Sequence, residues 1–295
     1  MKVSGQRTQS KVFKVGGDTP FYATLIFLGM IFIILLLGML LALIFSTTPG
    51  KIWQALQSEN IQYSIKLSLV SCTITAILSL WVAVPIGYLM SRFQFRGKNI
   101  LDAFLDIPIV LPPLVVGLGL LVMFHFPLWW DQPVMISEAT AEPWTLEALL
   151  REKLNFPVTF SVPSVILAQF MVACAFAIRT MRNTFDQISP RTEEVALTLG
   201  CNRSKAFYKI VLPESLRGML TAATLAWSRA LGEFGPILIF SSATRMRTEV
   251  LPTTIFLEFS VGDSEAAVAV SLILVGAAIF VLILTRHLGN SKQMV

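Results

Sequence analysis

The chain has 295 residues, of which 55% are hydrophobic and only 14% are charged, and its mean hydropathy is +0.71. This much apolar surface exceeds what one soluble core can bury, which excludes an ordinary soluble enzyme and makes the lipid bilayer the expected solvent. The net charge of +5 is spread over short polar segments between apolar runs, so it indicates membrane topology and not a nucleic-acid-binding surface.

Six apolar runs approach or exceed the length of about 20 residues that crosses a bilayer. They predict an all-α, polytopic membrane protein with transmembrane helices at residues 21–45, 64–90, 103–126, 159–181, 215–241 and 264–286. The first run follows a basic tail, residues 1–20, and is too long for the apolar part of a signal peptide, so we expect it to remain as an anchor. Residues 1–295 are predicted to form a single transmembrane domain.

The third run contains a proline-rich stretch. Asp102 and Asp106 precede Pro108, Pro112 and Pro113, and proline inside a helix removes a backbone donor and bends the axis. The sequence predicts a kinked helix in which the two carboxylates favour the positive N-terminal end.

A longer polar loop, residues 127–158, follows the third run. It contains three tryptophans and five acidic residues, a composition typical of a segment at the membrane surface. We expect an interfacial loop, with a docking surface for an external partner as the alternative. The residues are Trp129, Trp130, Trp144, Asp131, Glu138, Glu142, Glu147 and Glu152.

A polar hairpin, residues 186–213, separates the fourth and fifth runs. Ser189 can cap a short helix that has Pro190 in its first position, and Gly200 supplies the left-handed residue that ends it. A second short helix is predicted to begin near Asn202 or Ser204. We expect Pro213 to end that helix and to open the fifth transmembrane helix.

The fifth run combines small residues, charges and helix breakers. Gly218, Ala222, Ala226 and Ala230 recur every four residues and predict a close helix contact, which we place at a dimer interface.

Arg229 and Glu233 lie one turn apart, and each alone is costly in hydrocarbon, so they are expected to pair or to face a wet cavity. Gly232, Gly235 and Pro236 interrupt the helix beside them. We assign these five residues to the translocation path or its gate, with a purely structural ion pair as the open alternative.

Lysine and arginine are concentrated before the first run, between the second and third, in the hairpin and at the C-terminus. Because cytoplasmic loops carry this excess, both termini and the hairpin are predicted to be cytoplasmic. Cys72, Cys174 and Cys201 are not placed for disulfides, and no metal or cofactor site is predicted.

The hairpin resembles the EAA signature of permease subunits of ABC importers, E-A-A-x3-G-x9-I-x-L-P. Every position matches except Val195, where the family usually has alanine, and the matching residues are Glu194, Ala196, Gly200, Ile210, Leu212 and Pro213. The resemblance implies a type I ABC importer permease fold and assigns these residues to contact with a cytoplasmic ATPase subunit. No G-x-x-x-x-G-K-[ST] phosphate-binding loop occurs in the chain, so ATP is expected to be bound and hydrolysed by that partner.

Two further segments are similar to the molybdate, tungstate and sulfate branch of these permeases: AWSRALGEFGP, residues 226–236, and the proline-rich stretch of the third run. The resemblance implies a non-catalytic subunit in the cell (inner) membrane, expected to form a homodimer and to work with an extracytoplasmic oxyanion-binding protein. Molybdate or tungstate is the expected cargo and sulfate or thiosulfate the alternative. A membrane scaffold or receptor that recruits a non-ATPase partner is the alternative from a different class.

Overall fold

The computed structural model describes residues 19–126 and 145–290, and these parts are nearly all helical, without a β-strand. Their helices are α1 (Thr19–Phe45), α2 (Pro49–Gln57), α3 (Glu59–Arg92), α4 (Lys98–Val110), α5 (Pro113–His125), α6 (Leu146–Leu154), α7 (Val162–Gln187), α8 (Pro190–Thr198), α9 (Arg203–Ala206), α10 (Leu212–Glu214), α11 (Leu216–Leu231), α12 (Gly235–Phe240), α13 (Leu251–Val261) and α14 (Ser264–Asn290). A π-helical turn, Phe207–Val211, joins α9 to α10. The predicted all-α class is confirmed.

The chain divides into two compact units, Met1–Ser46 and Thr47–Val295. The first unit contains α1, which is apolar on all sides, and none of its side chains described from Phe21 onward is buried within the unit. A helix without a polar face is expected to lie in lipid or against other helices. The assignment of residues 1–295 to a single domain stays a prediction.

The core of the second unit is built from α3, α7 and α11, which approach closely because small residues line their facing sides. The buried face of α3 carries Ser64, Ser68, Ser71, Cys72, Ala76, Ser79, Ala83 and Gly87. At Gly87 an added Cβ would lie 2.9 Å from the Cβ of Met181 on α7, so a larger residue cannot replace this glycine without moving a helix.

The small-residue stripe of α11 is used inside the chain. Ala222, Ala226 and Ala230 are fully buried, and a Cβ at Gly218 would collide with the side chain of Thr184 on α7. The stripe was correctly predicted to be a packing surface, but its placement at a dimer interface is wrong, because α3 and α7 of the same chain already cover it.

The third predicted span is two helices. α4 and α5 meet at an angle of 109°, because Pro112 and Pro113 lack amide donors and hold Leu111 in an extended conformation. The fifth predicted span is also divided: α11 ends at Leu231, and α12 begins at Gly235 after a break at residues 232–234.

Among the described residues, four helices are long and apolar enough to cross a membrane, or five if the bent pair α4–α5 counts as one span. They are Phe21–Phe45, Glu59–Arg92, Val162–Gln187 and Ser264–Ile283. The predicted number of six is not reproduced, because α11 and α12 are individually too short. Arg179 and Arg182 lie in the last turns of α7.

The predicted tail, residues 1–20, and the three loop tryptophans fall mainly outside the described residues. What is described of the loop 127–158 includes α6, which Thr145 caps by accepting a hydrogen bond from Ala148 N at 3.1 Å. The carboxylate of Glu147 accepts hydrogen bonds from Val158 N and Thr159 N, both at 3.1 Å, and so ties α6 to the segment that leads into α7.

Candidate functional site: a two-faced hairpin and a broken helix

The hairpin begins as its sequence predicts. Ser189 Oγ accepts a hydrogen bond from Arg191 N at 3.4 Å, Pro190 occupies the first helical position, and Glu193 lies in the first turn. These residues satisfy or remove free amide donors and place a carboxylate at the positive end of α8.

The end of α8 is a Schellman motif. Cys201 N donates to Ala196 O at 3.0 Å and Gly200 N donates to Leu197 O at 3.1 Å, while Gly200 has a φ of +87°. No atom lies within 4 Å of a Cβ built at Gly200, so backbone conformation, and not space, requires glycine here.

The second half of the hairpin departs from a plain helix. Asn202 caps α9 by accepting from Lys205 N at 2.8 Å, as predicted, but Pro213 does not simply end the helix. Because Pro213 has no N–H for the carbonyl of Lys209, the chain takes a π-helical turn, in which Leu212 N donates to Phe207 O. The helical path therefore continues through α10 into α11.

No described part of this chain covers the outer face of the hairpin. Glu194 and Gly200 are exposed, and the apolar side chains of Val195 and Leu199 are 57% and 80% exposed. Of the other predicted contact residues, Ala196 is buried, Ile210 and Leu212 are half-buried, and Pro213 is exposed. Val195, the one departure from the EAA signature, thus lies on the exposed face.

The inner face is fastened to the helix bundle by a buried polar cluster. The Tyr88 hydroxyl donates to the carboxylate of Glu193, Arg92 Nε lies 3.4 Å from Glu193 Oε2, and Arg92 also donates to Ile188 O at 2.9 Å. Sequence reasoning missed this cluster. The spacing of Tyr88 and Arg92, one helical turn apart at the end of α3, was the available signal.

Aromatic rings surround the same cluster. The ring of Tyr88 lies 4.7 Å from that of Phe207 and 5.6 Å from that of Phe185, and Phe185 is fully buried. Edge-to-face and tilted ring pairs of this kind add to the stability that apolar burial gives. The base of the hairpin is therefore joined firmly to the ends of α3 and α7.

At the break, Arg229 and Glu233 form the predicted pair. Arg229 Nη2 lies 2.9 Å from Glu233 Oε1, Glu233 is only 2% exposed, and the guanidinium of Arg229 lies 5.6 Å from the centre of the Phe176 ring. A carboxylate so deeply buried requires a compensating charge, which Arg229 supplies from a more exposed position.

The break also contacts the third predicted span. A Cβ at Gly117 would lie 2.7 Å from Pro236 Cα, and a Cβ at Gly235 would lie 3.1 Å from Pro113 Cβ. Gly235 and Pro236 are buried, whereas Gly232 is exposed. The two segments that suggested the oxyanion branch are distant in sequence but touch backbone to backbone.

A charged cavity lies between α3, α4 and α7. It has a volume of about 290 Å³, and its lining includes Asp102, Asp106, Arg179 and Arg182. Arg182 pairs with Asp102, and Arg179 Nη1 lies 3.9 Å from Asp106 Oδ2. The two aspartates therefore link α4 to α7 through partly exposed ion pairs. Neither lies in the first turn of α4, so the prediction that they favour a helix N-terminus is wrong.

A family model described as the binding-protein-dependent transport system inner membrane component matches residues 83–292, a range that contains the hairpin, the break and the charged cavity. The chain belongs to this family. It is accordingly a multi-pass membrane permease subunit of the ABC importer type.

Two relatives of this permease have named substrates. It is 30% identical to the probable molybdenum ABC transporter permease protein of Haloferax volcanii over 85% of this chain and 84% of that protein. It is 26% identical to the sulfate transport system permease protein CysT of Escherichia coli over 79% of this chain and 78% of that protein.

A solved structure shares the fold of the permease. The crystal structure of a bacterial alginate ABC transporter, in complex with an alginate-pentasaccharide-bound periplasmic protein, contains a chain that matches with a TM-score of 0.72 and 17% identity. The match covers 94% of this chain and 96% of that one. At this identity the likeness concerns the fold alone.

Proposed function

We propose that this permease imports a tetrahedral oxyanion, with molybdate or tungstate as the first choice. Partner subunits that hydrolyse ATP drive this import by moving the hairpin. The observation that carries the proposal is the two-faced hairpin. Its outer face offers Glu194, Val195, Leu199 and Gly200 to another protein, while its inner face is bound to the bundle through Glu193. A push on the outer face is therefore transmitted to the helices.

The path of transmission follows the chain. From α9 the backbone runs through the π-helical turn and α10 into α11, which ends directly at the break with Arg229 and Glu233. In the proposed mechanism, ATP-driven closure of two cytoplasmic ATPase subunits moves two hairpins, one from each permease of a homodimer. The movement reaches the break in α11 of each permease and changes the side of the membrane to which the pore is open. Both termini are cytoplasmic in this arrangement.

The pair at the break suits an anion path. With Glu233 in contact, the positive charge of Arg229 is neutralised and offers no strong anion site; separation of the pair exposes a guanidinium, which binds tetrahedral oxyanions well. The permease needs this change only during passage, because an extracytoplasmic binding protein supplies most of the selectivity.

The choice of cargo is supported by the relatives and by the paired segments at residues 103–126 and 226–236. Molybdate is preferred because the molybdenum permease of Haloferax volcanii matches over slightly more of the chain and at slightly higher identity than the sulfate permease CysT. Sulfate is the second candidate because the sulfate permease CysT is nearly as similar to this chain. Molybdate and sulfate are both tetrahedral dianions that one path can accommodate.

The coupling role is tested with Val195→Glu and Leu199→Glu, which put a charge on the exposed apolar face without touching the core. We expect both variants to reach the membrane and to lose copurification with the ATPase subunit, because a desolvated carboxylate opposes an apolar contact. Phe95→Glu is the matched control, since Phe95 is an exposed apolar residue in the loop between α3 and α4, outside the hairpin.

Full ATPase copurification with both hairpin variants would refute the coupling role. Copurification of the parent chain with a partner that lacks a phosphate-binding loop would instead favour a scaffold or receptor.

The gate is tested by comparing Arg229→Ala with the double change Arg229→Ala and Glu233→Ala. The single change leaves a buried carboxylate without its cation and should lower the protein level. We expect the second change to restore that level without restoring transport. Recovery of both would show that the pair is only structural.

A further inference from the structure

A buried glutamine on α7 contacts the break from within the bundle. Gln169 is 1% exposed, and its amide lies among α3, α7 and α11. Its Nε2 donates to Ala230 O on α11 at 3.2 Å, and its Oε1 accepts from Thr75 Oγ1 on α3 at 3.2 Å. Nε2 also lies 3.6 Å from the sulfur of Cys72.

The acceptor of this bond is an unusual carbonyl. In a continuous helix, Ala230 O would accept from the amide four residues later, but α11 ends at Leu231. Ala230 O accepts instead from the backbone amides of Gly232 and Glu233, the latter at 3.2 Å, and Gln169 adds a side-chain donor from another helix. One carbonyl thus joins the side chain of Gln169 to the backbone of the buried acid at the break.

The surroundings fix the orientation of the Gln169 amide. Because Ala230 O can only accept, the amide nitrogen of Gln169 is directed to it and to Cys72 Sγ, which leaves Oε1 for the Thr75 hydroxyl. That hydroxyl also lies 3.4 Å from Ile166 O. An apolar side chain of similar volume could fill the space but could not donate. Backbone groups freed in the interior of a membrane protein need such a partner, since lipid offers none.

We propose that Gln169 is a positioning residue that holds the break of α11 against α3 and α7 and so fixes the place of Glu233. The gating consequence rests on the function proposed above. Without the glutamine amide, the last turn of α11 keeps only its local hydrogen bonds. The end of α11 and the break then move away from α3 and α7 more often.

The test uses a cysteine reporter at Leu231 in the full chain, assembled with its ATPase subunits. Leu231 is the last residue of α11 and is only 3% exposed, so a reagent reaches a thiol there only when this end of the helix moves away from the bundle. Cys201→Ser removes the one native thiol of the described cysteines that is not buried. The readout is the rate at which a small, charged thiol reagent labels the reporter in membranes.

Gln169→Met retains the volume and removes the donor. We expect labelling about fivefold faster than in the parent, the factor that one ordinary hydrogen bond contributes to an equilibrium. Thr224→Val is the matched control, because the Thr224 hydroxyl donates within α11, to Leu220 O, and its loss should leave the rate unchanged. Labelling of Gln169→Met at the parent rate would overturn the proposal.

Thr75→Val keeps the test decisive if Gln169→Met does not accumulate. It removes the hydrogen-bond partner of Gln169 Oε1 but leaves Gln169 in place, so the amide is held less firmly and labelling should again be faster than in the parent; an unchanged rate overturns the proposal. Transport is measured in parallel. Faster labelling with unchanged transport supports the role of Gln169 at the break and refutes the break as the gate.

Discussion

Glu249 is a buried acid in the segment between α12 and α13. It is fully buried, and within the described residues neither of its carboxylate oxygens completes a hydrogen bond. Burial raises the pKa of Glu249 above its ordinary value of 4.5, although nearby Thr254 and Arg245 oppose the shift and Glu258 adds to it. The folded chain therefore holds this proton more tightly than the unfolded chain does.

This shift predicts a pH-dependent stability. Because the folded state holds the proton more tightly than the unfolded state, stability falls as the pH rises above about 4.5. Glu249→Gln removes that loss and should raise the thermal midpoint at pH 7 to 8 by about 2–4 °C. The gain should disappear as the pH falls towards 4.5.

The measurement is thermal unfolding of the purified chain in detergent across this pH range. Glu265→Gln serves as the control, since Glu265 is an exposed partner of Lys51 and such pairs contribute little. If the difference in thermal midpoint between Glu249→Gln and the parent did not change with pH, a raised pKa of Glu249 would be contradicted.

Gly200 gives a second prediction, about conformation. At a φ of +87° alanine is strained by about 1–2 kcal/mol, whereas asparagine tolerates the left-handed region better. We expect Gly200→Ala to weaken ATPase copurification and Gly200→Asn to retain more of it. Equal loss of copurification in the two variants would contradict this prediction. It would show that any side chain at residue 200 blocks the contact with the ATPase, whatever the backbone strain.

Among the elements, α4 is held more by charge than by apolar burial. None of its side chains is buried, and its ion pairs to α7 join side chains that are about a third or more exposed. Such pairs contribute at most about 1 kcal/mol each. We infer that α4 is only loosely attached and can shift relative to α7 during transport.

A double-mutant cycle of Asp102→Ala and Arg182→Ala measures this attachment. The expected coupling in unfolding free energy is below about 1 kcal/mol. A coupling above about 3 kcal/mol, typical of a fully buried pair, would mean that α4 is fixed.

Glu193 gives a contrasting prediction for the hairpin. Glu193→Gln removes the charge that neutralises Arg92, in a site where both side chains are nearly buried. We expect the ATPase subunits to remain bound through the outer face but transport per ATP hydrolysed to fall, because the inner fastening is loosened. Glu194→Gln, on the outer face, is the matched control and should affect binding first; an identical profile for the two variants would contradict two separate faces.

For single helices and turns, the sequence predicted which local elements form better than it predicted their angles and packing partners. The caps at Ser189 and Asn202 and the left-handed Gly200 follow from local chemistry, which is why they were predictable. The prolines predicted a kink between α4 and α5, but local sequence rules do not specify its angle of 109°. The stripe on α11 specified a close contact, but nothing in its spacing distinguishes a helix of the same chain from one of a second copy.

For the molecule as a whole, the sequence identified the family correctly and located both parts of the candidate site. It could not show that Gly117 touches Pro236, or that Gln169 and Thr75 reach the break, because these contacts join residues far apart along the chain. Glu193 was passed over in favour of its neighbour Glu194, since one residue on a short helix decides between the inner and the outer face.

The central claim is that this permease couples an oxyanion-loaded binding protein to ATP hydrolysis through its hairpin. The most direct measurement is ATPase activity of the reconstituted complex with the binding protein unloaded or loaded with molybdate, tungstate or sulfate. We predict stimulation by the molybdate- or tungstate-loaded protein, little by the unloaded one, and none in Leu199→Glu. Equal stimulation by the unloaded protein, or full stimulation in Leu199→Glu, would contradict the account.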